Sequence, residues 1–124
     1  WMPLEAWHNG AIMGLAQQVT NMQKIYISLP ITGLDINKCR ERADKVKAAL
    51  SRKGYNPVSP FDIYAGKDAT YEDYLCNDLR VLMECDAVYF CRGWKMSCGC
   101  NIEHSVIQIL KKFNKRNITM LYER

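Results

Sequence analysis

Short apolar runs alternate with helical patterns from residue 24 onward, and this alternation limits the fold more than any other feature. Four runs have the composition of buried strands, at residues 24–29, 55–58, 87–91 and 117–122. Between them, apolar residues recur at helical spacing over residues 36–53, 71–84 and about 101–113. Strands that alternate with helices pair in parallel through right-handed crossovers. The sequence therefore predicts an α/β fold, a doubly wound, flavodoxin-like or Rossmann-like parallel sheet of four to five strands flanked by helices.

The length of 124 residues suits one domain with a single core. Because Met22 directly precedes the first convincing strand, we predict a domain over residues 22–124 and an N-terminal extension over residues 1–21. The apolar residues of that extension have a loose helical spacing, interrupted by glycines. It has no basic start and no continuous apolar run, which disfavours a signal peptide and a membrane span. We expect a cytoplasmic protein with no membrane partner.

Six cysteines and a net charge of +4 raise three other possibilities. The chain is long and helix-rich for a disulfide scaffold, so we interpret the cysteines as reduced. Cys98 and Cys100 are close in sequence but lack a second ligand pair, so we expect no metal and no cofactor. Four basic residues cluster over residues 111–116, where a solvated helix end is favoured over nucleic-acid binding. The positive charge also suits a small phosphorylated ligand.

Glu103 is the acidic residue whose position most suggests a function. It follows a loop that contains Gly93 and Gly99, and it stands in the first turn of the third predicted helix. There the helix dipole favours an ionised carboxylate that could face a ligand. The alternative is a Glu that only decorates the helix start. The apolar stripe predicted for this helix consists of Ile102, Val106, Ile109, Leu110 and Phe113.

Asp78 is a second candidate because it interrupts the apolar stripe of the second predicted helix. That stripe should include Leu75, Leu79, Leu82 and Met83. An acid within such a stripe is costly unless it is partnered or used. A structural Asp with a partner and a helix rotated to expose Asp78 are the alternatives.

The predicted winding brings these residues towards one crevice. Doubly wound sheets bind ligands at the carboxyl ends of their strands, commonly between the first and third. The loop of residues 28–33 and the loop that leads to Glu103 would line it, with Tyr26 close by and Asp78 entering from the preceding helix. Residues 62–70 form a loop long enough to act as a flap. The first loop has neither a dinucleotide nor a P-loop pattern.

Three stretches together resemble the nucleoside 2-deoxyribosyltransferase superfamily, and more closely its small branch with an ISGPITG-like start. They are residues 25–33 (IYISLPITG), residues 78–80 (DLR) with 84–87 (ECDA), and Gly93, Trp94, Ser97 and Gly99 with residues 102–104 (IEH). Each stretch is short, but their order and spacing over about residues 24–113 make the resemblance specific. Leu29 stands where the family usually has glycine.

The resemblance implies cleavage of the N-glycosidic bond of a nucleoside or a nucleoside 5'-monophosphate, by hydrolysis or by deoxyribosyl transfer. It assigns Glu103 as the nucleophile, Asp78 as the acid that protonates the departing base, and Tyr26 as the phenol that positions the nucleophile. Retaining cleavage needs one carboxylate that attacks and one acid that assists the leaving group. We therefore expect an ionised Glu103 and a protonated Asp78.

Ser97 favours hydrolysis of nucleotides over base exchange. Transferases of the superfamily typically have an acid six residues before the nucleophile, whereas the branch that hydrolyses nucleoside 5'-monophosphates has a phosphate-binding Ser there. Ser97, Ser28 and backbone amides around Gly99 would form such a phosphate cradle. The further ligand contacts implied are Pro30, Thr32, Gly33, Gly93 and Trp94.

The resemblance also implies a homo-oligomer, a dimer or larger, because characterised relatives extend further and lend residues from that region to a neighbouring subunit's site. A nucleotide-binding or sensing module without turnover is the alternative function, and it would depend on Ser97 and the loops more than on Glu103. A basic nucleic-acid binder, the third possibility, would show strongly salt-dependent affinity.

Overall fold

Four parallel strands form the centre of the computed structural model, which describes residues 22–124. They are β1 (Lys24–Ser28), β2 (Asn56–Val58), β3 (Ala87–Phe90) and β4 (Thr119–Tyr122), in the spatial order β2-β1-β3-β4. The helices between them are α1 (Ile36–Arg52), α2 (Tyr71–Met83) and α3 (Cys98–Phe113). The predicted doubly wound α/β fold is confirmed, with four strands among the described residues. The predicted extension, residues 1–21, lies outside them.

Strand β1 is central and is buried on both faces. Its odd-numbered residues Ile25 and Ile27 pack with buried residues of α1, whereas Tyr26 packs with buried residues of α2 and α3. Side chains alternate along a strand, so Ser28 points to the same face as Tyr26. Both have 0% exposure. A central strand therefore directs two hydroxyl groups into the layer formed by α2 and α3.

Helix α3 begins earlier than predicted. Its first residue is Cys98, because the Ser97 side chain caps the helix and accepts a hydrogen bond from Cys100 N at 3.3 Å. Glu103 consequently lies beyond the first turn, and the prediction that placed it in the first turn is wrong. The buried residues of α3 are Cys100, Glu103, Ile107 and Leu110.

Three side chains predicted or expected to face inward are exposed. Ile109 and Phe113 of α3 are 54% and 68% exposed, and Met83 of α2 is 44% exposed. Helix α2 is preceded by Thr70, whose side chain forms a capping box with Asp73, and its fully buried residue is Leu82. The apolar stripes were therefore predicted correctly only in part.

The basic cluster over residues 111–116 lies at the end of α3, and one of its residues makes a structural contact. Arg116 donates hydrogen bonds to the carbonyl oxygens of Met83 and Cys85, at the end of α2. This contact satisfies carbonyl groups that a helix end leaves unpaired. The six cysteines, all within the described residues, form no disulfide. Of the helices in residues 22–124, none has the length and apolar character to cross a membrane.

Candidate active site

Glu103 is held by two hydroxyl groups from the central strand. Its Oε2 accepts a hydrogen bond from the Tyr26 hydroxyl at 2.5 Å, and its Oε1 accepts one from Ser28 Oγ at 2.8 Å. The Glu103 residue is 4% exposed. Tyr26 and Ser28 reach it together because residues two apart on a strand face the same side. Both oxygens of this buried carboxyl group are therefore hydrogen-bonded.

Burial, not the helix dipole, dominates the electrostatics of Glu103. Burial raises the pKa of Glu103 to about 7, while the hydrogen bonds from Tyr26 and Ser28 lower it and the charge of Asp78 raises it further. The pKa of Tyr26 is raised well above its ordinary value, first by burial and then by the charge of Glu103. Tyr26 thus stays protonated and donates. The ionised form of Glu103 depends on these two donors.

Asp78 lies in a different situation, because it is half-buried and one of its carboxyl oxygens is buried without a donor. Its Oδ1 is buried and has no hydrogen-bond partner within residues 22–124. Burial raises the pKa of Asp78 to about 7. Oδ1 is thus neither partnered, as in a structural Asp, nor exposed, as in a helix rotated towards solvent. A carboxyl group without donors is more stable when protonated.

A cavity of about 280 Å³ brings the two carboxyl groups together at the carboxyl ends of β1, β2 and β3. The three predicted catalytic residues, Tyr26, Asp78 and Glu103, all line it. Three of the predicted ligand contacts also line it: Thr32, Ser97 and Gly99. The two acids and the phenol therefore face one ligand-sized space.

Five predicted ligand contacts lie elsewhere. Ser28 is bound to Glu103, so its hydroxyl does not contribute to a phosphate cradle. Gly33 has φ of +81° in a turn closed by a hydrogen bond from Leu34 N to Ile31 O at 3.0 Å, a conformation that favours glycine. Trp94 stacks on His104, with 4.4 Å between ring centroids. Ser28, Gly33 and Trp94 thus make contacts within the protein and do not line the cavity.

Pro30, in the loop after β1, and Gly93, in the loop after β3, lie close to each other outside the cavity. Gly93 has φ of +90°, and a Cβ atom placed there would lie 3.8 Å from Pro30 Cγ. Neither residue lines the cavity, and neither does any residue of the proposed flap, 62–70. The segments on either side of that flap supply cavity walls instead.

The remaining walls are mostly apolar and aromatic. They consist of Leu29, Ile31, Pro60, Phe61, Tyr71, Tyr74, Leu75 and Cys100, of which Leu29, Ile31 and Cys100 belong to the two loops predicted to line the crevice. The Arg40 guanidinium lies 4.7 Å from the Phe61 ring centroid and helps to fix that ring. Tyr71, Tyr74 and Asp78 follow one another at helical spacing, so one face of α2 lines the cavity. That spacing was visible in the sequence and could have identified the tyrosines.

The geometry allows two carboxyl groups to take different chemical roles. Near neutral pH, Glu103 has two donors that stabilise its anion, whereas Asp78 Oδ1 has none. Such environments separate a nucleophile from an acid. Within residues 22–124, His, Cys, Asp and Glu side chains form no group of three that could hold a metal ion.

Fold and site together define an α/β protein with a doubly wound sheet and an acid pair in a cavity at the ends of its strands. The chain belongs to the family described as "Domain of unknown function (DUF4406)", which matches residues 23–114. The matched region is most of the chain and contains every residue that lines the cavity. A comparison with curated proteins finds no match.

Proposed function

We propose that the protein cleaves the N-glycosidic bond of a nucleoside 5'-monophosphate or a nucleoside, by hydrolysis or by transfer of the deoxyribosyl group to another base. The observation that carries this proposal is the shared cavity of two unlike carboxyl groups, Glu103 with two donors and Asp78 with none at Oδ1. The resemblance of the same residues to the nucleoside 2-deoxyribosyltransferase superfamily gives independent support.

In the first step, the Glu103 carboxylate attacks the anomeric carbon C1' of the sugar. A C1'–O bond forms while the C1'–N bond breaks, and the electron pair of the broken bond stays on the base nitrogen. Asp78 transfers its proton to the departing base, which leaves as a neutral molecule. The products are the free base and a glycosyl ester of Glu103.

In the second step, the Asp78 carboxylate accepts a proton from water as the water oxygen attacks C1'. The ester bond to Glu103 breaks, its electron pair returns to the carboxylate, and the sugar leaves with its original configuration. A second base in place of water would give deoxyribosyl transfer. Tyr26 keeps the carboxylate oriented in both steps.

The walls of the cavity suit the parts of such a substrate. Its volume of about 280 Å³ is at the small end of the range for ligand pockets. Phe61, Tyr71 and Tyr74 offer ring surfaces to a flat base. Ser97 and Gly99, at the start of α3, also line the cavity, and a helix N-terminus favours an anionic phosphate. The net charge of +4 also favours an anionic ligand.

Two further features are part of the proposal. The unpaired cysteines are typical of a cytoplasmic protein. The exposed apolar side chains of α3, Ile109 and Phe113, provide a surface through which two copies could associate as a homodimer or larger assembly.

Release of free base from a panel of nucleoside 5'-monophosphates and nucleosides, followed by chromatography, tests the activity. We expect Glu103→Gln to lower the rate by at least about 10³-fold, because an amide cannot replace the nucleophile. Glu84→Gln is the matched control: Glu84 is an exposed Glu at the amino ends of the strands, 3.9 Å from Lys24. It should retain the unmutated rate.

Two outcomes would refute the proposed activity. One is an unmutated protein that releases no base from any member of the panel. If that protein still bound nucleotides, the non-catalytic binding module would be the better interpretation. The other is a Glu103→Gln protein as active as Glu84→Gln, which would exclude Glu103 as the nucleophile.

A further inference from the structure

Ser28 is a buried polar residue that the proposed reaction does not use. Its side chain has 0% exposure and lies on the central strand. It does not line the cavity, whereas its neighbour on the same face, Tyr26, does. A buried hydroxyl group costs free energy unless it is hydrogen-bonded, and its bond here is to Glu103 Oε1 at 2.8 Å. Ser28 therefore acts on the ligand only through Glu103.

We propose that Ser28 is a positioning residue of the active site, whose hydroxyl holds Oε1 of Glu103 from the sheet side so that Oε2 is the oxygen presented to the ligand. The inference rests on the proposed function, since it names the atom that attacks the sugar. It also makes a claim about the unliganded protein, namely that Ser28 controls the orientation and ionisation of Glu103.

The first argument is geometric. A carboxylate held at one oxygen can still rotate about its Cγ–Cδ bond, which changes the direction of its lone pairs. The hydrogen bond from Ser28 to Oε1, together with that from Tyr26 to Oε2, fixes the plane of the carboxylate. Since Tyr26 lines the cavity and Ser28 does not, Oε2 is the oxygen on the cavity side.

The second argument is rigidity. Ser28 pairs with Phe90 in the parallel ladder between β1 and β3, and its carbonyl oxygen accepts a hydrogen bond from Cys91 N at 2.9 Å. Its backbone is thus fixed at the centre of the sheet. A donor on such an element holds its partner more accurately than a donor on a loop.

The third argument concerns charge. The titratable groups that influence or line the cavity with Glu103 are Tyr26 on β1, three residues of α2 (Tyr71, Tyr74 and Asp78), and Cys100 on α3. Burial and the charge of Asp78 raise the pKa of Glu103, and only the hydrogen bonds from Tyr26 and Ser28 lower it. The loss of Ser28 would therefore leave the anion with a single donor.

A titration of the Glu103 carboxyl group tests the inference without any turnover. The protein carries ¹³C-labelled glutamate, and the carboxyl signal of Glu103 is assigned by its loss in Glu103→Gln. We expect Ser28→Ala to raise the pKa of Glu103 by about one pH unit, because one hydrogen bond to the charged form is removed. Ser28→Thr, which keeps the hydroxyl, should restore the original pKa.

Ser59→Ala is the matched control for the loss of a buried serine hydroxyl. Ser59 is 2% exposed, and its Oγ accepts a hydrogen bond from Phe61 N and does not contact Glu103. It should leave the pKa of Glu103 unchanged. Should Ser28→Ala fail to fold, Ser28→Cys, a weaker donor of similar size, should give a smaller increase in the same direction.

The catalytic readout is the dependence of kcat/KM on pH. In Ser28→Ala, the ascending limb should move up by the same amount of about one pH unit, so that the rate well below that pKa falls about tenfold. KM should stay unchanged, since Ser28 does not line the cavity.

An unchanged pKa of Glu103 in Ser28→Ala, or an equal increase in Ser59→Ala, would overturn the inference. The two proposals can fail separately. If the unmutated protein releases no base but Ser28→Ala still raises the pKa, the proposed function is refuted while the control of Glu103 by Ser28 is supported.

Discussion

Asp78 and Glu103 differ in their hydrogen-bond donors as well as in their burial, since Glu103 is 4% exposed and Asp78 is half-buried. Burial raises the pKa of each to about 7, so burial alone assigns neither of them a role. The roles come from Tyr26 and Ser28, which donate to one acid and leave the other without a partner at Oδ1. The proposed acid is thus defined by a missing donor.

The substitution Asp78→Asn tests this role, because it keeps the shape of the side chain and removes its proton. We expect base release from unmodified purine nucleotides to slow by about 10²–10⁴-fold. An N7-methylated purine already carries a positive charge and leaves without protonation, so its release should slow by no more than about tenfold. The measurement is kcat/KM on the matched pair of substrates. Equal losses on both would argue against proton transfer by Asp78.

At the scale of single residues, the sequence identified the two acids and, through the resemblance, Tyr26 as a partner of Glu103, but it did not identify Ser28 as the second donor. Asp78 was recognisable because it interrupts an apolar stripe, and Glu103 because it follows a glycine-containing loop. The donors to Glu103 are separated from it by 77 and 75 residues. No local pattern contains such contacts, so the bond between Ser28 and Glu103 was not predictable.

At the scale of elements, helix α3 shows that a buried acid makes the inward face of a helix hard to predict from its sequence. The sequence predicted an inward stripe that included Ile109, Leu110 and Phe113, whereas the buried residues are Cys100, Glu103, Ile107 and Leu110. A prediction that assumes every acid to be exposed places Glu103 on the outer face of the helix and therefore assigns the wrong residues to the inner face. The donors on β1 allow Glu103 to face inward. The buried face of α3 is therefore the face that contains Glu103.

Gly99 offers a test of whether the first turn of α3 begins at Cys98. A Cβ atom there would lie 3.7 Å from the Tyr71 hydroxyl, an ordinary contact, and alanine favours a helix over glycine. We expect Gly99→Ala to raise the free energy of unfolding by about 0.5–1 kcal/mol, as measured by urea denaturation. Because Gly99 lines the cavity, the same change should raise KM for a nucleotide.

Gly54→Ala is the control, since Gly54 follows α1 with φ of +92° and lies outside the cavity. There a side chain strains the backbone, so we expect a loss of about 1 kcal/mol with no change in KM. A destabilised Gly99→Ala protein would contradict the helical start of α3 at Cys98.

At the scale of the whole molecule, the order of the strands was the most predictable property. Alternating strands and helices with right-handed crossovers permit few arrangements, and the observed order β2-β1-β3-β4 is a doubly wound one. The walls of the cavity were less predictable. Phe61 follows β2 and Tyr71 begins α2, and their convergence depends on how the intervening loop folds back.

The buried acid pair makes the stability of the whole molecule depend on pH. Burial raises the pKa of Asp78 from 3.8 to about 7 and that of Glu103 from 4.5 to about 7. Between about pH 4 and about pH 7, the unfolded chain therefore binds fewer protons than the folded one. The contribution of the pair to the free energy of unfolding should fall as pH rises through this range. The contribution of the pair is largest below about pH 4, where both states hold the protons.

Removal of the charge at Glu103 should remove much of this dependence. At pH 8, we expect Glu103→Gln to raise the free energy of unfolding by about 1–2 kcal/mol, less than the full effect of the raised pKa because the amide fits the two hydroxyl donors poorly. Urea denaturation at pH 5, 6.5 and 8 measures it, with the exposed Glu84→Gln as the control that should follow the unmutated protein. If Glu103→Gln instead followed the unmutated protein and Glu84→Gln at all three pH values, Glu103 would not have a raised pKa, and the acid pair would lose its physical basis.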